Sequence, residues 1–436
     1  MSYIASQFSM RCANILSSTC TLIRCCSFSP FLKRHMSSKK ICSLKRTLFQ
    51  KNFYNSQSAV YYEFPCYFQT SSTIKNKISN NGQAACTGDV SSLIETWFYE
   101  VCPHGSLNAT LPFKTIVKPL DQPSINKVII QLHFDSVTGN ENDIPSGLHL
   151  SQISDLYNLD VAFEEDKAIM NISCDVTKGI TLPIVCTLQV PHQFGLHLKI
   201  LDDKDVSVER MESDTITVEA EKGNCYFNNI KCGSLSALCR SGNITCGSTL
   251  LGNTYFHTGK SGSITTEKLQ GSSITCETEM GSMNVRSLYA ENATFRSDAG
   301  NMHLGNCHGQ LYLLAGNSNL AIESLEGDID VGLQSGSVSV HLSKHQNANI
   351  EVETGDISVS FPEGSSTDLN LDCCAIMVDK NMNVHFHDTR LPHHKEGYIG
   401  KKGKASLNAR TLSGTVHLKI LDWIHTTNLA FKEDDS

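Results

Sequence analysis

Residues 262–304 read GSITTEKLQGSSITCETEMGSMNVRSLYAENATFRSDAGNMHL, and this stretch decides the fold. Gly262, Gly281 and Gly300 stand 19 residues apart. Each is followed by a small polar residue and then by two apolar residues separated by one: Ser263 with Ile264 and Thr266, Ser282 with Met283 and Val285, Asn301 with Met302 and Leu304. Only the Thr266 position departs from the apolar rule. Side chains two apart on a strand point the same way, so each repeat supplies a short strand with two inward residues.

The pattern extends in both directions. The corner positions are Gly223, Gly242, Gly262, Gly281, Gly300, Gly336 and Gly355, at steps of 19, 20, 19, 19, 36 and 19. The step of 36 is two coils of 18 if Ser318 takes the place of a glycine. The residues after the corners are Asn224, Asn243, Ser263, Ser282, Asn301, Asn319, Ser337 and Asp356, all small and polar. Glycine permits the positive φ of a tight turn, and Asn, Asp or Ser bonds back to nearby backbone. Gly281 is accordingly expected at positive φ, and the eight polar residues are expected to form a ladder along one edge. A second apolar strand completes each coil after a bend of small residues, Cys232, Gly271, Ala290, Gly309 and Gly327. Antiparallel hairpins with Gly-Asn turns also repeat, but they do not hold a spacing this strict. The expected fold is mainly β: a parallel β-solenoid of about eight coils of 18–20 residues, with β-rich caps at both ends.

Domain organisation follows. Residues 1–92 read as a presequence and linker, 93–200 as a β segment leading into the solenoid, 201–361 as the solenoid, and 362–436 as a C-terminal β cap and tail. Strand-like runs such as 127–134, 169–174 and 184–190 precede the regular coils, and 413–420 follows them. Solenoid ends leave backbone and core side chains unpaired, which is why capping is expected.

Residues 1–62 contain nine Lys or Arg, twelve Ser and no Asp or Glu, and the net charge of the whole chain is −8. Such a basic, hydroxyl-rich leader predicts import into mitochondria, to the matrix, with cleavage between about residue 35 and residue 92. The rest of the chain is strongly acidic, which argues against nucleic acid as a partner. No run approaches the length of apolar sequence that a membrane-spanning helix requires.

Eighteen cysteines are present, without a Cys-x-x-Cys pair. Zinc-knuckle and thioredoxin-type motifs are therefore excluded. Cys225, Cys246, Cys276 and Cys307 fall on inward positions, where a thiol serves as a small hydrophobe.

The pattern Gly-polar-apolar-x-apolar, introduced by Leu188-Gln189-Val190-Pro191, resembles an adhesin-named β-solenoid domain common in bacteria, whose function is unknown. Val101-Cys102-Pro103-His104-Gly105 and Leu111-Pro112-Phe113, with the basic leader, resemble the animal "family with sequence similarity 185". The resemblance implies a right-handed parallel solenoid and mitochondrial residence, and it brings no catalytic residues.

Candidate chemistry is sparse. His385 and His387 share one face of a strand, and a turn at Pro392 could bring His394 near. Imidazoles of this kind suit zinc or copper, while the plainer reading is an exposed His-rich loop. Glu351 with Glu353, and Asp328 with Asp330, point outward in pairs, as two carboxylates of a polysaccharide-cleaving β-helix would. Outward acids also simply keep such a surface soluble. No cofactor is expected. The reading is a non-enzymatic binding or scaffold protein with an unidentified protein partner; the alternative is a carbohydrate-active or metal-dependent enzyme.

Overall fold

A computed structural model describes residues 93–122, 126–135, 153–164, 167–177, 183–387 and 393–421. Nearly all regular structure in them is strand. Among the described residues no helix is long and apolar enough to cross a membrane.

The 19-residue period becomes strand pairing. Strand Ile264–Thr278 lies parallel to Met283–Ala299 with Ile264 opposite Met283, Leu269 opposite Leu288, Ile274 opposite Ala293 and Cys276 opposite Phe295. Met302–Asn317 follows on the other side in the same manner. The inward apolar residues of a coil therefore stack on their equivalents above and below. The columns of Ile, Leu, Val, Met, Phe and Cys are buried as one continuous core. The molecule is mainly β and repeat-like, each coil in contact with the next.

The stacking crosses residues 200 and 361 without a break. Upstream, Val206–Glu209 pairs with Cys225–Asn228 and with Lys114–Pro119. Gly195–Ile200 pairs with Glu212–Ala220 and with Ser106–Leu111. Downstream, Asn347–Thr354 pairs with Ala405–Ser413, and Ile357–Phe361 pairs with Thr415–Ile420. Gly414-Thr415-Val416-His417-Leu418 is thus a further corner of the same pattern, displaced by an intervening excursion of strands. The excursion carries Thr367–Asp372, Ala375–Val378, Val384–Phe386 and His394–Ile399.

Among the described residues antiparallel pairs occur only towards the two ends. At one end Leu93–Glu100 pairs with Lys127–Phe134, which pairs with Ile184–Val190, and Tyr157–Glu164 pairs with Ile169–Val176. At the other, His394–Ile399 pairs with both Thr367–Asp372 and Val384–Phe386.

The inward cysteines Cys225, Cys246, Cys276 and Cys307 are buried and free. Burial pushes the Cys246 thiol well above its ordinary value and the Cys276 thiol up to about 12. Both remain protonated packing groups at neutral pH. Replacing Cys246 with Val should change stability by less than about 1.5 kcal/mol, as volume-conserving core exchanges do. Denaturant melts measure this, and a larger loss would give the sulfur a role beyond packing.

Candidate functional site

The corners come in two forms. Gly300, Gly336 and Gly355 have φ of 123°, 126° and 142°. Their amides reach the carbonyls of Asn317, Thr354 and Ser413 in the next coil. Gly281 is not at positive φ, contrary to the sequence expectation. Its requirement is space: a Cβ there would lie 1.7 Å from the Gly262 carbonyl oxygen. The Gly281 amide turns inward and donates to Thr278 Oγ1 at 2.8 Å. The Gly242 amide likewise donates to Cys239 Sγ at 3.1 Å. Buried Cys239, Thr258 and Thr278 thus form a hidden polar column beside the glycines, with Thr258 donating to the Gly262 carbonyl at 2.8 Å.

Outside the glycines run the small polar residues. Asn243 donates its backbone amide and Nδ2 to Asn224 Oδ1 at 2.9 and 3.2 Å. The Ser263 amide donates to Asn243 Oδ1, and Ser282 Oγ donates to Ser263 Oγ. Asn319 donates to Asn301, Ser337 donates to Asn319, and the Thr415 amide donates to Asp356 Oδ1. Asn224 itself donates to Asp205, one coil upstream. Ser318 is buried at its corner and donates to the Gly300 carbonyl. These bonds join coils to each other.

The opposite bend is more open. Small residues leave its floor without side chains, and concavities form over it. One, of about 580 Å³, is floored by Gly271, Ala290 and Gly309 and flanked by Gln270, Tyr289 and Glu291. The other, of about 590 Å³, is lined by His104, His197, Glu212, Asp214, Lys231 and Cys232. Pairing places Lys231 beside Leu251, and Leu251 beside Gln270, so both concavities follow the same line of bends.

A chain of side chains runs from coil to coil through the first of these concavities, the one flanked by Tyr289. Lys268 Nζ sits 5.2 Å from the centroid of the Tyr289 ring. That ring stacks on His308 with centroids 4.7 Å apart and planes 8° apart. His308 Nδ1 is 3.3 Å from Glu326 Oε2. Cation–π and stacking contacts hold the two rings against each other. Tyr289 and His308 are 19 residues apart, so the period itself could have revealed the pair; the sequence reading attended to the inward columns and missed it.

Asp328 and Asp330, one of the two outward pairs of acids, are engaged structurally. Asp328 Oδ1 accepts the amides of Gln346 and Asn347, both at 2.9 Å, and Oδ2 accepts Asn347 Nδ2. Burial raises the Asp328 carboxyl, but these three bonds outweigh it and hold it below the usual carboxylate range. A general acid needs the opposite shift. Asp330 accepts Asn349 Nδ2 at 2.9 Å.

The histidines lie on the excursion. The His385 and His387 rings flank Tyr398 at 5.0 and 5.9 Å, and His394 Nε2 is 3.2 Å from Glu396 Oε1. Asp388 and Pro392, part of the same sequence cluster, lie outside the described residues. Among the described residues no group of three or more His, Cys, Asp or Glu is arranged to hold a metal ion. Of the residues in the 101–105 and 111–113 motifs, Val101, Leu111 and Phe113 are buried and a Cβ on Gly105 would strike the Ala168 carbonyl at 2.5 Å, whereas Pro103 and His104 are exposed.

Residues 254–419 match the family model described as Toastrack DUF4097. The match starts within one coil and ends in strand Thr415–Ile420, so it includes the coil that the excursion had displaced. Among solved structures, the chain is similar to a Bacteroides fragilis protein named as an adhesin, at 12% identity over 75% of this chain and 96% of that one, with a TM-score of 0.24. It is also similar to a Clostridium sporogenes protein named for cell adhesion, at 10% identity over 75% and 99%, with a TM-score of 0.17. The relationship to Toastrack proteins is distant.

Proposed function

We propose that this chain is a non-catalytic binding or scaffold protein, and that the line of concave bends is its contact surface. One observation carries the reading: the glycine floor and the Lys268–Tyr289–His308–Glu326 chain form a fixed polar and aromatic surface spanning several coils. Such a surface suits recognition of an extended partner. The Asp328 carboxyl, held below the usual carboxylate range by its bonds, is unsuited to be the general acid of a glycosidase, which speaks against that alternative at the Asp328–Asp330 pair. Proximity labelling with the full chain tests the reading. Neighbours labelled by the parent but lost in Tyr289→Ala/His308→Ala would support it; an unchanged set of neighbours would remove the bends as the contact surface.

The coils are proposed to wind as a right-handed parallel solenoid, about eight of them in the regular stretch 201–361. The leader and the 101–105 and 111–113 motifs support kinship with the animal "family with sequence similarity 185". The acid-free leader supports action in the mitochondrial matrix. Residues 1–92 fused to a fluorescent protein should enter mitochondria, and a diffuse cytosolic signal would refute that address.

A further inference from the structure

The stack has two chemically opposite ends. Following the pairs, the row of strands after the corners runs from Leu93–Glu100 through Lys127–Phe134, Ile184–Val190, Lys114–Pro119 and Val206–Glu209. It finishes through Ile357–Phe361 and Thr415–Ile420 at Ala375–Val378. The second row runs from Tyr157–Glu164 through Ile169–Val176 and Ser106–Leu111. It finishes through Ala405–Ser413, Thr367–Asp372 and His394–Ile399 at Val384–Phe386. Among the described residues each of these four terminal strands pairs on one side only. The Tyr99 and Phe163 rings, 5.8 Å apart, tie the two terminal strands of the first end together.

Charge divides along the same axis. Residues 93–379 hold 36 acids against 16 Lys or Arg, whereas 380–436 hold six acids against nine. At the first end, Leu93–Glu100 and Tyr157–Glu164 carry Glu95, Glu100, Asp160 and Glu164 and no base. At the second, Ala375–Val378 and Val384–Phe386 carry no acid, with one exposed Asp379 directly after the first of them. The turns beside them expose Lys380, Lys401, Lys402 and Lys404. Both ends also expose apolar side chains that a monomer gains nothing by displaying, including Phe98 (54% exposed) and Met377 (58%). Unpaired strand edges with exposed apolar residues are templates for association, which proteins ordinarily block with charge on the edge. Here the charges on the two ends are of opposite sign, so they attract in one arrangement and repel in the others.

We propose that this chain associates head to tail, the acidic end of one copy docking on the basic end of the next. The inference stands apart from the contact surface proposed above, since the concave bends lie along the stack and not at its ends. A head-to-tail contact is heterologous, and it propagates unless the rotation closes a ring.

Sedimentation of the full chain tests this. The wild type should show mass rising with concentration, and falling in high salt as the end charges are screened. Glu100→Gln/Asp160→Asn weakens the acidic end and Lys380→Gln/Lys401→Gln the basic end; each should weaken self-association about tenfold or more. Mixing the two variants leaves one good acidic end and one good basic end, so the mixture should form dimers and stop there. Dimers in the mixture also show that both variants are folded. A wild type that stays monomeric, variants that assemble like the parent, or a mixture that fails to dimerise or grows past the dimer would each overturn the proposal. So would a monomer whose basic end instead binds phosphatidylserine vesicles.

Discussion

Gly281→Val should destabilise the protein by at least about 2 kcal/mol, and failure to fold is the extreme form of the same result. The cause is contact with backbone that cannot move away. A Cβ at this position would lie 1.7 Å from the Gly262 carbonyl oxygen, 2.5 Å from its carbon and 3.1 Å from the Ser263 nitrogen. Those atoms belong to the coil immediately adjacent, and strands within a sheet stack about 4.8 Å apart. Relief would require separating two coils whose strands are bonded along most of their length. The same substitution at Gly247, where a Cβ would meet nothing within 4 Å, should cost little. Glu353→Gln on the exposed surface should cost less than about 0.5 kcal/mol. Denaturant melts of the three variants decide it. If Gly281→Val melts like Gly247→Val, the corner is not a close approach of backbones.

The corner was legible in the sequence for a physical reason. Stacking forces equivalent residues into register, so any demand the corner makes is repeated in every coil. What the sequence could not distinguish was the demand itself. A glycine required by its dihedral and a glycine required by a neighbouring carbonyl look identical in one letter, and Gly281 proves to be the second kind while Gly355 satisfies both descriptions. The coils at the margins escaped because each lacks one sign. Asp205 and Val206 sit in ladder and core positions, but Lys204 holds the place of the glycine, below the Cβ position of Gly223. Gly414 has the full pattern, yet it follows Gly355 by 59 residues and so breaks the period. The histidines were grouped by nearness along the chain. The excursion's hairpin aligns His385 and His387 with Tyr398 instead, and His394 with Glu396. The open bends were hidden because a concavity is made by missing side chains, and small residues read as mere turn formers.

Thr278→Val carries the next largest effect. Thr278 and Val are nearly the same shape, so the exchange leaves packing alone and removes one hydroxyl. That hydroxyl accepts the Gly281 amide at 2.8 Å and lies 3.4 Å from the carbonyls of both Gly262 and Gly281. The residue is buried, and water has no ready route to the amide left behind. An unsatisfied buried donor costs about 1–3 kcal/mol, and that is the expected loss. Thr278→Ser keeps the hydroxyl and should lose less. The neighbouring coils show how the loss could be avoided. Where Ala315, Leu333 and Val352 stand three residues before the corner, the amides of Ser318, Gly336 and Gly355 bond to carbonyls of the following coil. A loss below about 0.5 kcal/mol in Thr278→Val would mean that the Gly281 corner converts to that second form. Hydrogen exchange at the Gly281 amide separates the cases: faster exchange marks an orphaned donor, and unchanged protection marks a corner that has switched its partner to the next coil.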